Sequence, residues 1–275
     1  MNCYRKLNFM SVKPSFFCFS HIPKTAGMTF NSILDRNFYG KLHRTSHGFY
    51  ENKLTKDQIT WALNRGGNYL RCLAGHAVSA DIPYDHPDYD VIGITILREP
   101  ADRLISEYFY LRKLGVKNLV QKEWPDFIKE ISENEPNFFW DTQVRFLGVG
   151  LDELKTRIEE GKMVVIPQSR FDEGILLLQH RYPEFKDVSY VSRNINPTRN
   201  ASLECPDWFK DKCMALDIEL FDYAIANFDK ELKATFGGTL KSSLDLHKAR
   251  CFQRKVFKEP IRKLSAKMNS LLSRW

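Results

Sequence analysis

The 275-residue chain has no apolar run of about 18 residues, so its sequence offers no candidate membrane-spanning helix. The opening residues, Met1-Asn2-Cys3-Tyr4-Arg5-Lys6, lack the apolar core of a secretory leader. The run Phe16-Phe17-Cys18-Phe19 is too short to supply one. Six cysteines show no Cys-x-x-Cys spacing, which removes the common zinc and dithiol motifs. Cys18 and Cys72 fall in strand-like runs and read as buried thiols. These absences lead us to expect a reducing, cytoplasmic compartment, in which the sequon Asn200-Ala201-Ser202 has little meaning. Internal repeats and low-complexity linkers are missing too. What remains, 43% hydrophobic residues over this length, suits one large α/β domain or one domain with a helical appendage.

The net charge of +7 is unevenly spread. Between Lys241 and Trp275 stand ten Lys or Arg against Asp245 and Glu259, so the rest of the chain is close to neutral. The basic character belongs to the C-terminal tail. Within it Ile261, Leu264, Met268, Leu271, Leu272 and Trp275 recur at helical spacing. A helix near 258–273, packed on the body with a solvated basic face, is the plain reading. A surface for an anionic glycan, nucleic acid or membrane is the other. Gly237-Gly238 marks the boundary, giving a main domain 1–238 and a basic helical extension 239–275.

The most informative stretch is His21-Ile22-Pro23-Lys24-Thr25-Ala26-Gly27-Met28-Thr29-Phe30, between the strand-like run at 15–21 and a helix-like run at 28–38. Helix starts present outward N–H groups and the positive end of the helix dipole. A loop there with one Lys, two Thr and a Gly is suited to an anion such as phosphate. An ordinary strand-to-helix turn capped by Thr25 or Thr29 is the bland alternative. The loop is not an ATP or GTP P-loop, because Lys24 precedes the single Gly27 instead of following paired glycines.

A second segment repeats the arrangement. Tyr89 to Leu97 is rich in β-branched residues and reads as a buried parallel strand. Arg98-Glu99-Pro100 follows, then a helix pattern over 100–114 in which Pro100 suits the first turn. Arg98 thus sits at the carboxyl end of a strand, where open α/β sheets bind ligands. A guanidinium can grip phosphate with two parallel bonds, and Ser106 lies on the helix within reach of the same group.

Pro-Lys-Thr-Ala-Gly-x-Thr resembles the 5′-phosphosulfate loop of sulfotransferases that use 3′-phosphoadenylyl sulfate (PAPS). Arg98, Glu99, Pro100, Arg103, Ser106 and Tyr108 resemble the same family's 3′-phosphate motif. The pattern is most similar to carbohydrate sulfotransferases of the heparan and uronyl 2-O type and their bacterial cousins. The resemblance covers about Phe16 to Phe236. It takes in Thr142-Gln143-Val144-Arg145, where the family's Gln and Thr are swapped, and a closing helix over 216–224. The animal enzymes are Golgi-anchored, which this chain does not match.

Alternating strands and helices imply a parallel sheet. The resemblance makes it a P-loop-type three-layer α/β sandwich, with the basic helical tail appended. It also implies PAPS as sulfuryl donor, no metal, and an acceptor alcohol, either a glycan or a small molecule. The donor residues would be Lys24, Thr25, Ala26, Gly27, Met28, Thr29, Arg98 and Ser106, with Ile195, Thr198 and Arg199 in a loop over the nucleotide. Lys24 would stabilise the leaving phosphate. Among seven histidines, His76 stands at the end of the strand-like run Leu70 to Ala74, between the two phosphate elements. It is similar to the family's catalytic His, and its imidazole, with a usual pKa near ~6.5, can accept a proton. His21, beside the loop, is the second choice, and reads more readily as a strand-end residue packed beside Pro23.

For Arg103 a phosphate contact and a solvated helix face weigh evenly; Arg112 reads as solvated. Asp81, Asp85 and Asp88 read as a solvated acidic loop or as acceptor ligands. Tyr84, Trp124, Phe138, Phe139 and Trp140 read as core or as sugar-stacking surfaces. Two other functions compete with a sulfotransferase. One is a Mg-dependent nucleotide kinase or NTPase, and the other a non-enzymatic module that binds acidic polymers through the tail.

Overall fold

Every residue of Phe16-Phe17-Cys18-Phe19 is fully buried, so this segment must lie between two covered surfaces. In the computed structural model, which describes residues 13–45, 53–115, 122–133, 138–192, 203–258 and 260, it is the central strand β1, Ser15–Ser20. It is followed by α1 (Gly27–Asn37), β2 (Leu42–Arg44), α2 (Lys56–Gly66), β3 (Cys72–Gly75) and β4 (Asp90–Leu97). Then come α3 (Pro100–Leu114), α4 (Trp124–Glu133), α5 (Thr142–Leu147), α6 (Leu151–Glu159) and β5 (Met163–Pro167). The chain continues through α7 (Phe171–Arg181), α8 (Asp207–Cys213), α9 (Ala215–Phe236) and α10 (Leu240–Gln253).

The five strands form one parallel sheet in the order β2-β3-β1-β4-β5. Alternate residues face opposite layers. Phe17 and Phe19 of β1, Ile92, Ile94 and Ile96 of β4, and Val164 and Ile166 of β5 pack under α1 and α7. Phe16, Cys18, Leu73 and Val91 meet α2 on the other face. Met163 and Val165 meet α5, α6 and α9. The result is the three-layer α/β sandwich expected from the sequence. Chain connections leave β1 toward β2 and leave β4 toward β5, so the sheet's switch point, the usual ligand crevice, lies between the ends of β1 and β4.

Several local features escape the sequence pattern. The edge strand β2, at three residues, is too short to show a period. Val188 to Val191 forms no strand; Val188 packs in the core cluster with α1 and α7. The helical span 124–147 divides into α4 and α5. The tail begins a helix at once after a tight turn at Gly237–Thr239, and this helix, α10, packs on α7. Residues 261–275, with the apolar series from Ile261 to Trp275, lie outside the described residues. Among the described residues no helix is long and apolar enough to cross a membrane.

Two carboxylates, Asp217 buried and Asp141 half-buried, lock α5 to α9 by capping each other's helix. Asp141 accepts N–H bonds from Leu216 (2.9 Å) and Asp217 (3.0 Å) at the start of α9. Asp217 accepts from Gln143 (3.0 Å) and Val144 (2.8 Å) in α5. Burial pushes the Asp217 carboxyl up to about 6, although the two amides pull it down. Because the folded value lies above that of the unfolded chain, this group stabilises most below about pH 4 and loses that stability as pH rises through 6. Asp217→Asn removes the titration. In urea unfolding, the margin of wild type over Asp217→Asn should shrink by about 3 kcal/mol between pH 4 and pH 7. A margin independent of pH would show that Asp217 does not titrate in this window.

Candidate active site

The turn after β1 is held by its own side chains. The Thr25 hydroxyl donates to the Ile22 carbonyl at 2.8 Å and is fully buried, so it closes the loop instead of meeting a ligand. The Thr29 amide is also used internally, donating to Ala26 O at 2.9 Å. Lys24 and Ala26 both take left-handed backbone angles, φ 68° and 70°. For residues with a Cβ each such angle costs about 1–2 kcal/mol, a strain that concentrates where backbone is shaped for a ligand.

Gly27 is required by its neighbour. A Cβ there would lie 1.9 Å from Cδ2 of His21. The His21 ring has little room to yield, since it stacks between Phe19 (centroids 5.5 Å apart) and His76 (4.3 Å). Burial first, then the nearby His76 and Arg44 charges, lower the His21 pKa to about 3, so its ring stays neutral. The Nδ1 of His76 lies 2.6 Å from the His21 carbonyl oxygen. A carbonyl only accepts, so Nδ1 carries the proton and Nε2 is the basic nitrogen of His76.

β4 delivers Arg98 to the same place. Its Nη1 donates to the Lys24 carbonyl at 3.2 Å, and its Nη2 lies 4.0 Å from Asp102. The Arg98 backbone is gripped on both sides by Gln143, whose Oε1 accepts from Arg98 N (2.9 Å) and whose Nε2 donates to Arg98 O (2.8 Å). Glu99 caps α3 by accepting from Ala101 and Asp102 amides. The Asp141–Asp217 lock therefore fixes Gln143, and Gln143 fixes Arg98.

Lys24, Ala26, Gly27, Met28, Thr29, Arg98 and Ser106 line one cleft of about 590 Å³. His21 lines it as well; His76 stands behind His21, stacked on its ring. The Lys24 ammonium rests 3.9 Å above the Tyr110 ring. Burial lowers its pKa, while Glu107 opposes that shift. Ile195, Thr198 and Arg199 lie outside the described residues.

Arg103 is neither a phosphate ligand nor solvated. It is 1% exposed, donates to Thr142 Oγ1 at 3.0 Å and pairs with buried Glu107 at 3.6 Å, joining α3 to α5. Arg112 contacts the Tyr108 hydroxyl (2.7 Å) and Glu123 (3.7 Å). Asp81, Asp85 and Asp88 are exposed, with Asp85 paired to Lys56 at 3.0 Å. Trp124 and Phe139 belong to the core.

The sequence reading missed the opposite wall. Asp172, Glu173, Tyr190, Leu244 and Lys248 also line the cleft. The available signal was the spacing of Leu244, His247, Lys248 and Cys251, which puts all four on one helix face. Gln143 was visible only as part of a motif, with no hint that it holds Arg98.

No family model matches the chain, and no curated protein matches it. Among solved structures, a sulfotransferase from Alicyclobacillus acidocaldarius aligns over 81% of this chain and 96% of its own, with 14% identity and a TM-score of 0.38. A likeness of that size says nothing about this chain's chemistry, which rests on its own residues.

The packing of Gly27 on His21 makes one outcome specific. Gly27→Ala should destabilise the protein by about 1–3 kcal/mol in denaturant unfolding. In a His21→Ala background the same change should cost much less, giving a coupling of at least about 0.5 kcal/mol. Additive costs would show that the two residues do not constrain each other.

Proposed function

We propose that this protein is a PAPS-dependent sulfotransferase that acts on an acceptor alcohol, in the first place a carbohydrate hydroxyl. The observation that carries the reading is the meeting of two phosphate-type elements. Lys24 after β1 and Arg98 after β4 are 3.2 Å apart, side chain to carbonyl, and line one cleft. That cleft has the volume of an ordinary small-ligand site. Lys24, Arg98, the Ser106 hydroxyl and the start of α1 fit a nucleotide with phosphates at both ends.

When bound, the donor supplies a sulfuryl group attached to a phosphate leaving group. The protein's part is to hold, orient and move a proton. Lys24 is the cation for charge gathering on the departing phosphate. Leaving the Tyr110 ring forfeits about 0.5–2 kcal/mol. A charge-assisted hydrogen bond returns about 1.5–3 kcal/mol, so the move is favourable. Arg98 and Ser106 hold the 3′-phosphate. The Nε2 of His76 takes the proton from the acceptor hydroxyl. His21 suits that task poorly, because a group with a pKa of about 3 is a weak base at neutral pH.

Acceptor approach from the side of His76 is supported by Lys53 and Phe146. Lys53 donates to the His76 carbonyl at 2.7 Å and lies over the Phe146 ring, and burial lowers its pKa to about 8. The kinase reading is less favoured by the residues themselves. Lys24 precedes its glycine, and β4 ends in Arg98, where a Mg-binding NTPase places an acid.

Incubation with labelled PAPS and a panel of glycans and small alcohols should yield sulfated product without divalent metal. Lys24→Ala and His76→Ala should each lower turnover by about 10²–10⁴-fold with the fold intact by circular dichroism. Absence of product together with no binding of adenosine 3′,5′-bisphosphate would sink the reading. ATP turnover abolished by a chelator would replace it with the kinase.

A further inference from the structure

An anion-binding cleft that also contains two carboxylates needs a reason for them. Glu173 is matched by Arg170 at 2.5 Å, and Arg170 also pairs with Asp229. Asp172 is matched from α10. The His247 Nε2 lies 3.5 Å from Asp172 Oδ1, and the Tyr190 hydroxyl donates to the same oxygen at 2.7 Å. His247 is 2% exposed, and its Nε2 also lies 3.3 Å from Cys251 Sγ. One turn further, Arg254 donates to Ser189 Oγ at 2.7 Å and pairs with Asp187, which also faces Arg36 of α1. These contacts fasten α10 across α7 and the 187–190 segment. They hold Leu244 and Lys248, the neighbours of His247 on that helix face, in the cleft wall.

We propose that α10 is a wall of the donor site, in which Lys248 supplies a further cation to the donor's phosphates and His247 is a positioning residue that neutralises Asp172. This inference rests on the sulfotransferase reading. A donor with phosphate at both ends brings several negative charges to a cleft in which Lys24 and Arg98 supply two positive ones and Arg170 is paired with Glu173 and Asp229. Without the His247 charge, Asp172 would repel that ligand across a poorly solvated space. The direction of titration agrees. Burial opposes protonation of His247, but Asp172 and Cys251 raise its pKa to about 9, so it is charged at neutral pH.

Calorimetry with adenosine 3′,5′-bisphosphate tests this on the full chain. His247→Gln keeps the bulk and polarity but removes the charge, and should weaken binding by about tenfold. Asp172→Asn in that background should recover most of the loss, which a purely structural His247 would not allow. Lys248→Ala, at an exposed position, should weaken binding about fivefold and flatten its salt dependence, while Lys248→Arg should bind like wild type. If wild type binds and both His247→Gln and Lys248→Ala stay within about twofold of it, α10 is not part of the donor site and the sulfotransferase reading stands. If wild type itself does not bind, the sulfotransferase reading fails and this inference with it.

Discussion

The hydrogen bond from Arg98 to the Lys24 carbonyl joins two strand ends that carry like charges, and the cleft depends on that joint. Two cations brought together inside a protein repel, and partial burial sharpens the repulsion. The structure offsets it in three ways. The guanidinium spends one donor on a carbonyl that the left-handed Lys24 backbone turns toward it. Asp102 lies one turn into α3 beside Arg98. Glu107, buried on the same helix, faces both Lys24 and Arg103. Burial raises the Glu107 pKa, while Arg103 and Lys24 pull it down. An arrangement that gathers positive charge favours an anionic ligand, because the anion offsets the repulsion between the cations.

The support behind this joint is polar and largely buried. Gln143 holds the Arg98 backbone by both amide ends, and Asp217 holds Gln143 by its own N–H. Asp141 returns the favour to α9. Each carboxylate has two backbone donors, so neither is left unsatisfied, and the group that costs most to bury also orients the ligand-facing arginine. Such a network fixes geometry more than it adds stability. Gln143 is thus fully buried yet bonded directly to the Arg98 backbone.

Local pattern revealed β1, β4 and the helices after them, because each strand is a continuous apolar run ended by a charged turn. It also placed Lys24, Arg98 and Ser106 in one cleft, since adjacent parallel strands must present their carboxyl ends together. It did not reveal the three-residue β2, which has no period to read, or that 188–191 stays outside the sheet. The burial of Arg103 was equally hidden: a long cation on a helix looks solvated until Thr142 and Glu107 are known to face it. The far wall of the cleft comes from residues some 220 positions beyond Lys24, and only the fold brings α10 back across α7.

That return path changes the meaning of the basic tail. Taken as sequence, its cations form one undivided positive segment. In the fold, α10 sorts them by face. His247 and Arg254 are buried against Asp172 and Asp187 and serve to dock the helix. Lys248 points to the cleft, while Lys241, Arg250 and Lys255 are exposed. Among the described residues, a surface for an anionic polymer can therefore draw only on the exposed set, whereas the docking cations are already committed to carboxylates. The same helix face ties the tail to the cleft through Asp172, so removal of α10 would leave that carboxylate uncovered in the cleft that Lys24 and Arg98 line.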